Sequence, residues 1–251
     1  MPLPPTFEAR LVSARALSPS VRALTFERVD GTALRFDAGQ WVSFVLPNAS
    51  TRADAGESAE LRRSYSIASD PDGTPRFDIA VTRVARGPGS SYLHALEPGA
   101  TLTAIGPQGF FTRPLASAAP SLFVATGTGV TPFRSMLRAA AAAGDATPTW
   151  LLFGVRTEAD VLYEDELRRL AEAHPSFRFE VTLSQPGEGW AGRRGYVQTH
   201  LRELYDGLAT SEQREPHVYA CGLAKMIGSV RDMLRKDMGL PRERVHTERY
   251  D

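Results

Sequence analysis

The chain has 251 residues, 42% hydrophobic and 23% charged, with Lys+Arg and Asp+Glu balanced at 29 each. That length supports one large domain or two modest ones, each with a real core. A formal net charge of zero argues against a general nucleic-acid or anionic-membrane binder, and the single cysteine, Cys221, excludes a disulfide framework or a multi-cysteine metal site within these residues.

No apolar run approaches the roughly 18 residues of a membrane span. The start, MPLPPTFEAR, has neither a basic region nor an apolar core, so no secretory signal is visible. A cytoplasmic, monomeric protein is the expectation. The first part reads as short strands rich in Val, Ile, Phe and Thr: 7–14, 21–27, 41–46, 64–67, 77–84 and 101–105. Turn residues separate them, which predicts a six-stranded antiparallel barrel. A short helix is expected over 90–96, stopped by Pro98-Gly99, and Pro47–Ala59 reads as a loose loop.

After about residue 115 the rhythm changes. Strands are predicted at 121–125, 149–155, 177–183, 217–220 and 245–250, with helices at 132–143, 164–174, 196–204 and 224–238. Such alternation demands crossovers and therefore a five-stranded parallel sheet. The expected domains are 1–115 and 116–251.

The strongest local signal is Ala125-Thr126-Gly127-Thr128-Gly129-Val130-Thr131-Pro132-Phe133, which follows the first strand of the α/β half and opens a helix. Glycines there let backbone N–H groups approach a phosphate at a helix N-terminus. It is neither G-x-G-x-x-G nor a P-loop. In the barrel half, Arg63-Ser64-Tyr65-Ser66 puts a guanidinium, an aromatic ring and hydroxyls on one strand, which suits a phosphate and a ring system; a plain amphipathic strand is the alternative. Gly87-Pro88-Gly89-Ser90-Ser91 repeats the glycine-then-helix design. Cys221 ends a predicted α/β strand just before Gly222, where ligands of such sheets bind, although a lone cysteine is commonly a small buried hydrophobe. The five histidines show no metal spacing and read as surface or structural groups.

Barrel then sheet, carrying R-x-Y-S, G-x-x-S, G-T-G-V-T-P-F and C-G-L in that order, resembles the ferredoxin–NADP(+) reductase family over roughly residues 7–250. Arg134-Ser135, Leu162-Tyr163 with Glu166, Tyr196-Val197-Gln198-Thr199 and Tyr219–Leu223 fit the same plant-type pattern, and Glu248-Arg249-Tyr250 lies close to its terminal Glu-x-Tyr. The resemblance implies FAD on the barrel, a nicotinamide dinucleotide on the sheet, and hydride passing between them. Arg63 would then hold the FAD pyrophosphate, with Ser64 beside it. Tyr65 would pack on the isoalloxazine and Ser66 would sit near the flavin N5. Ala80, Val81 and Thr82 would contact FAD through backbone, and Gly89, Ser90 and Ser91 would cradle its phosphates. Thr126 would lie between the two cofactors, and Gly127, Thr128 and Gly129, together with Gln198, Gly222 and Leu223, would bind the dinucleotide. Cys221 and Glu248 would line the nicotinamide pocket. A Tyr250 stacked on the flavin would occupy the place nicotinamide needs and act as a gate.

Three departures stand out: Arg86 falls where the pattern has an adenine-stacking aromatic, Ser184-Gln185 replaces the NADP-selective Ser-Arg pair, and Asp251 follows the terminal tyrosine. Candidates for a 2′-phosphate are Arg156, Ser184, Arg193, Arg194 and Tyr196, which favours NADPH over NADH. With no cysteine quartet in these residues, the implied electron carrier is a separate ferredoxin or flavodoxin. Its dock could draw on Arg15, Arg22, Arg62, Arg83, Arg86 and Arg249. Alternatives are the reductase of an oxygenase, a flavin reductase, or a non-catalytic electron-transfer or regulatory subunit.

Overall fold

A computed structural model describes residues 4–47, 60–117 and 119–250. The loop expected over 48–59, and Asp251, lie outside the described residues, whereas Pro47 closes a strand. Two compact units emerge, Met1–Thr112 and Arg113–Asp251.

The first unit is a six-stranded antiparallel sheet. Its strands are β1 (Thr6–Ser18), β2 (Val21–Arg28), β3 (Trp41–Pro47), β4 (Glu60–Ser66), β5 (Arg76–Thr82) and β6 (Thr101–Gln108), in the order β4-β3-β6-β1-β2-β5. The two edges meet where Ala68 N–H, just past β4, donates to the Asp78 carbonyl of β5 at 2.7 Å. That contact makes the sheet a barrel, as the sequence predicts. Alternation decides which side chains fill it: Phe7, Ala9 and Leu11 of β1 are buried while Thr6, Glu8 and Arg10 are exposed. Phe26, Phe44 and Phe77 form the centre, with Phe26 and Phe44 ring centroids 4.7 Å apart. Helix α1 (Pro88–Ala95) contributes Leu93 to that core. Its C-terminal carbonyls are capped by Arg22, whose Nη1 donates to His94 O at 2.6 Å and Leu96 O at 3.0 Å. Arg22, one of the arginines expected at a carrier dock, thus has one terminal nitrogen committed to the fold.

The second unit is a parallel sheet in the order β10-β9-β8-β7-β11-β12. These strands are β7 (Ser121–Thr126), β8 (Thr149–Val155), β9 (Phe177–Leu183), β10 (Arg193–Arg194), β11 (His217–Leu223) and β12 (Val245–Tyr250). Five strands match the expectation; β10, only two residues long, is a sixth that the sequence pattern misses. Residues 121–125 are buried without a break, the mark of a strand covered on both faces. Helices α4 (Leu201–Glu212) and α5 (Ala224–Asp232) pack on one face through Leu201, Leu204, Tyr205, Leu208, Ile227 and Val230. On the other, Phe133 of α2 (Thr131–Ala142) stacks on Phe123 at 4.6 Å, and α3 (Glu164–Ala173) buries Leu167. The helix expected over 196–204 is instead a 3₁₀ turn, Val197–His200, followed by α4, which runs eight residues past 204 because Tyr205 and Leu208 continue the apolar stripe. Among the described residues no helix is long and apolar enough to cross a membrane.

Candidate functional site

In the first unit, Arg63 and Tyr65 share one side of β4, and Ser64 and Ser66 the other. Arg63 lies over the first turn of α1: a Cβ built on Gly89 would sit 3.0 Å from Arg63 Cγ and 3.7 Å from its Nε. A side chain there would press on Arg63 and on Leu46, 3.3 Å away. The Arg63 side chain donates from Nη1 to the Arg62 carbonyl at 2.8 Å, and among the described residues no carboxylate neutralises it. The N–H groups of Gly89 and Ser90 precede the first helical bond, from Ser91 N–H to Gly87 O at 3.0 Å. An exposed guanidinium beside a helix N-terminus is an anion cradle, and it fits a diphosphate. The Ser90 hydroxyl is not part of it. Its Oγ accepts from Val84 N–H at 3.1 Å and donates to the Gly87 carbonyl at 3.1 Å, so Ser90 offers backbone only, while Ser91 is exposed. Ser64 is likewise held, its Oγ 2.9 Å from that of Ser43.

Tyr65 is half-buried against Phe44, with ring centroids 6.3 Å apart. Burial pushes its phenol up to about 12, against the opposing pull of Arg63, so the ring stays neutral. Ser66 is buried at the end of β4. Ala80, Val81 and Thr82 lie on β5, whose edge α1 covers: His94 Nε2 is 2.9 Å from the Val81 carbonyl. A carbonyl only accepts, so Nε2 carries the proton, and that carbonyl is taken. Arg86 is exposed, with a left-handed φ of 61°.

In the second unit the chain moves outward from β7 in both directions, through β8 and β9 on one side and β11 and β12 on the other. The crevice beyond the ends of β7 and β11 is the topological switch point, where open α/β sheets bind ligands. Gly127, with φ +54°, turns the chain out of β7 into a 3₁₀ turn (Gly127–Val130, with Thr128 in its middle) that leads into α2. Gly129 lies directly on β11: a Cβ there would be 2.2 Å from the Cys221 carbonyl oxygen. Opposite, a Cβ on Gly222 would be 2.2 Å from Thr126 Oγ1. That hydroxyl is buried and has no hydrogen-bond partner among the described residues. The crevice thus has a backbone floor and one unanswered polar group, which suits a nucleotide.

Cys221 is fully buried, and its thiol is pushed well up by burial first and by the Glu248 charge second, with a bond to Tyr250 acting the other way. It stays a thiol and is no nucleophile. Parallel pairing sets Glu248 opposite Cys221 and Tyr250 opposite the exposed Leu223. Tyr250 remains in strand geometry, and its hydroxyl lies 3.2 Å from Thr131 Oγ1 at the start of α2. A frayed terminal residue would make no such bond; the hydroxyl is held at the start of α2, beside the switch point.

The phosphate candidates beside β8 and β9 separate into two groups. Arg156, Arg194 and Tyr196 are exposed, and Ser184 and Gln198 are half-buried. The Arg156 carbonyl accepts from Gln185 N–H at 2.8 Å, fixing the two strand ends together. Arg193 instead turns inward. It binds Glu180 through Nε and Glu203 through both terminal nitrogens at 2.7 Å each. Its charge is already balanced, so its assignment as a phosphate ligand is withdrawn. Sequence reasoning missed this cluster, because Arg178, two residues before Glu180 on the same face of β9, already offers that carboxylate a cation and the two form an ion pair. Arg134 and Glu166, part of the matched pattern, form a two-point ion pair with Arg134 Nη2 2.9 Å from Glu166 Oε2, tying α2 to α3. Two of the five histidines, which the sequence reads as surface or structural groups, also meet: His217 Nδ1 lies 3.0 Å from His246 Nε2, with His246 stacked on Tyr219 at 4.4 Å.

Comparison with known proteins matches residues 8–112 to the Oxidoreductase FAD-binding domain and residues 123–232 to the Oxidoreductase NAD-binding domain. The chain is 58% identical over 246 residues to Ferredoxin--NADP reductase B of Sorangium cellulosum (strain So ce56), covering 98% of each protein. It is 32% identical over 190 residues to the chloroplastic Ferredoxin--NADP reductase of Chlamydomonas reinhardtii, covering 72% of this chain and 52% of that one. Among solved structures, the flavohem-like FAD/NAD binding domain of nitric oxide dioxygenase from Vibrio cholerae O1 biovar El Tor superposes with a TM-score of 0.82 at 21% identity, covering 97% of this chain and 98% of that one. That last likeness concerns the fold alone.

Proposed function

The chain belongs to the ferredoxin–NADP reductase family, and from that premise we propose that it is an FAD-dependent reductase moving electrons between NADPH and a ferredoxin or flavodoxin. The observation that carries this reading is identity of 58% across 98% of both chains. When bound, FAD exchanges a hydride with the nicotinamide and passes electrons singly to the carrier. The residues bind and orient. Arg63 and the N–H groups of Gly89 and Ser90 hold the FAD diphosphate, and the neutral Tyr65 ring offers a flat apolar surface to the flavin, with Ser66 at the same strand end. Gly127, Thr128 and Gly129 admit the dinucleotide at the switch point, where Thr126 Oγ1 finds its partner. Cys221 and Glu248 frame the nicotinamide position. Tyr250 closes it until the coenzyme enters. Arg156, Ser184, Arg194 and Tyr196 receive the 2′-phosphate end. No side chain acts as a nucleophile; positioning and water exclusion do the catalytic work.

The test is direct. Purified protein should carry FAD, bleach with NADPH, and reduce a ferredoxin in a coupled cytochrome c assay with kcat/KM higher for NADPH than for NADH. A colourless protein, or one that bleaches but reduces neither ferredoxin nor flavodoxin, refutes the reading.

A further inference from the structure

We propose that Arg193 is a positioning residue for coenzyme selectivity: clamped by Glu180 and Glu203, it holds the two-residue strand β10 so that its neighbour Arg194 meets the 2′-phosphate. This rests on the reading of Arg194 as a phosphate ligand.

A two-residue strand has little hold of its own. Arg193 and Arg194 pair only with Thr182 and Leu183 of β9. The segment before them, Gln185-Pro186-Gly187-Glu188-Gly189-Trp190-Ala191-Gly192, carries three glycines and no regular structure. What fixes it is a set of bonds centred on Arg193. The guanidinium joins Glu180 of β9 to Glu203 of α4, and Nη1 lies 3.4 Å from His200 Nδ1. An arginine N–H only donates, so Nδ1 accepts, and the ring proton sits on Nε2, which donates to the Arg194 carbonyl at 3.1 Å. Trp190 Nε1 donates to the Arg193 carbonyl at 2.8 Å, and Thr182 Oγ1 to the Gly195 carbonyl at 3.0 Å.

Strand alternation sends the next side chain the other way. Arg194 is exposed and rests on the loop it leaves, with Nη2 donating to the Trp190 carbonyl at 2.8 Å. Carbonyls satisfy its donors without cancelling its charge. Two adjacent arginines thus divide the work: one is neutralised and anchors, the other stays cationic and is presented. Lysine could not replace the anchor, because the Glu203 contact needs a planar fork.

The test measures binding of 2′,5′-ADP and of 5′-ADP to the FAD-loaded protein by isothermal titration. Arg194→Ala should weaken 2′,5′-ADP about tenfold, the size of one lost charge-assisted contact. Arg193→Gln should weaken it about fivefold, with 5′-ADP changed less than about twofold in both, since only the phosphorylated ligand reaches Arg194. Glu203→Gln, which keeps Arg193 but loosens the clamp, should show a smaller loss in the same direction. The double variant Arg193→Gln/Arg194→Ala should bind no worse than Arg194→Ala alone, because an anchor has nothing to add once its cargo is gone. Thermal unfolding confirms that each variant is folded, and Glu203→Gln carries the test if Arg193→Gln is not. An unchanged 2′,5′-ADP affinity in both Arg193→Gln and Glu203→Gln beside a weakened Arg194→Ala overturns the positioning role and spares Arg194. Losses that add in the double variant also overturn it. An unaffected Arg194→Ala removes the phosphate reading itself, and the proposal with it.

Discussion

Replacing Gly129 by alanine should damage the switch point more than the same change two residues earlier. The added methyl carbon would lie 2.2 Å from the Cys221 carbonyl oxygen, 2.5 Å from its carbon and 2.8 Å from Gly222 N. All three are backbone atoms of β11, a strand hydrogen-bonded on both sides, to β7 and to β12. No side chain can swing aside. Overpacking a core costs about 1–3 kcal/mol when side chains can adjust. Here the ladder itself must move, so the cost should reach the top of that range, about 3 kcal/mol. At about 2–4 °C per kcal/mol for a chain of this size, the melting temperature should fall by roughly 6–12 °C. Gly127 is the internal control. It needs its φ of +54°, but a Cβ there meets nothing within 4 Å. Gly127→Ala should therefore lose only the left-handed strain, about 1–2 kcal/mol. Both variants would be melted with FAD bound and titrated with NADP(+). Gly129→Ala should also lose NADP(+) affinity, because the displaced backbone is the floor of the crevice. If Gly129→Ala melts at or above Gly127→Ala, close approach is not what the second glycine serves.

Three further outcomes are expected. Arg63→Ala should raise the FAD dissociation constant about tenfold or more, since a charge-assisted contact contributes roughly 1.5–3 kcal/mol; undiminished flavin retention through gel filtration and dilution would remove Arg63 from the phosphate site. Tyr250→Ala should bind NADP(+) more tightly and discriminate less between NADPH and NADH, because the ring that bonds Thr131 beside the switch point is gone; unaltered affinity and preference would show that Tyr250 is no gate. His217 and His246 are both held below their ordinary 6.5, each by burial first, then by Arg244 at His217 and by His217 at His246, while Glu243 opposes the shift at His217. A depressed folded value means the unfolded chain binds the proton better, so this stability is complete above about 6.5 and is lost as pH falls through the folded values. Melting temperature should drop between pH 7 and pH 5, and His246→Gln should flatten that slope; equal slopes in parent and variant would refute the link.

The sheet strands were the most legible part of the chain because their burial leaves a plain pattern: the apolar run 122–125, bounded by Pro120 and Gly127, has the length of a buried strand and is too short for a helix of ordinary size. The switch-point loop was legible for a related reason, since Gly127 and Gly129 answer backbone constraints that other residues violate. Where side-chain hydroxyls cap turns, reading by residue type overreached: Ser90 looks like a phosphate ligand in sequence, yet its Oγ closes the turn before α1. Strand β10 carries no apolar signature at all, so Arg193 and Arg194 read alike until pairing with β9 assigns them opposite sides. The His217–His246 contact was out of reach because it depends on the register of two strands 28 residues apart in their first positions, β11 beginning at His217 and β12 at Val245.

The balanced charge of the chain conceals a division among its arginines. Arg113 is buried with Nη1 3.0 Å from Asp145, Arg134 is buried on Glu166, and Arg193 is held by Glu180 and Glu203. A buried guanidinium demands a carboxylate, since an unpaired ion in a low-dielectric interior costs several kcal/mol. Each such pairing commits its acids, which then do not neutralise an arginine elsewhere. Arg63, Arg156 and Arg194 are exposed and have no carboxylate partner among the described residues. Arg63 sits at a helix N-terminus in the first unit; Arg156 and Arg194 sit at strand ends in the second. A net charge of zero therefore coexists with local positive potential at the positions where the two cofactors' phosphates are proposed to lie. Net charge argues against a binder of long polyanions, but it has no power against a site built for one or two phosphates, because a few arginines without a carboxylate beside them suffice wherever the acids lie on the rest of the surface.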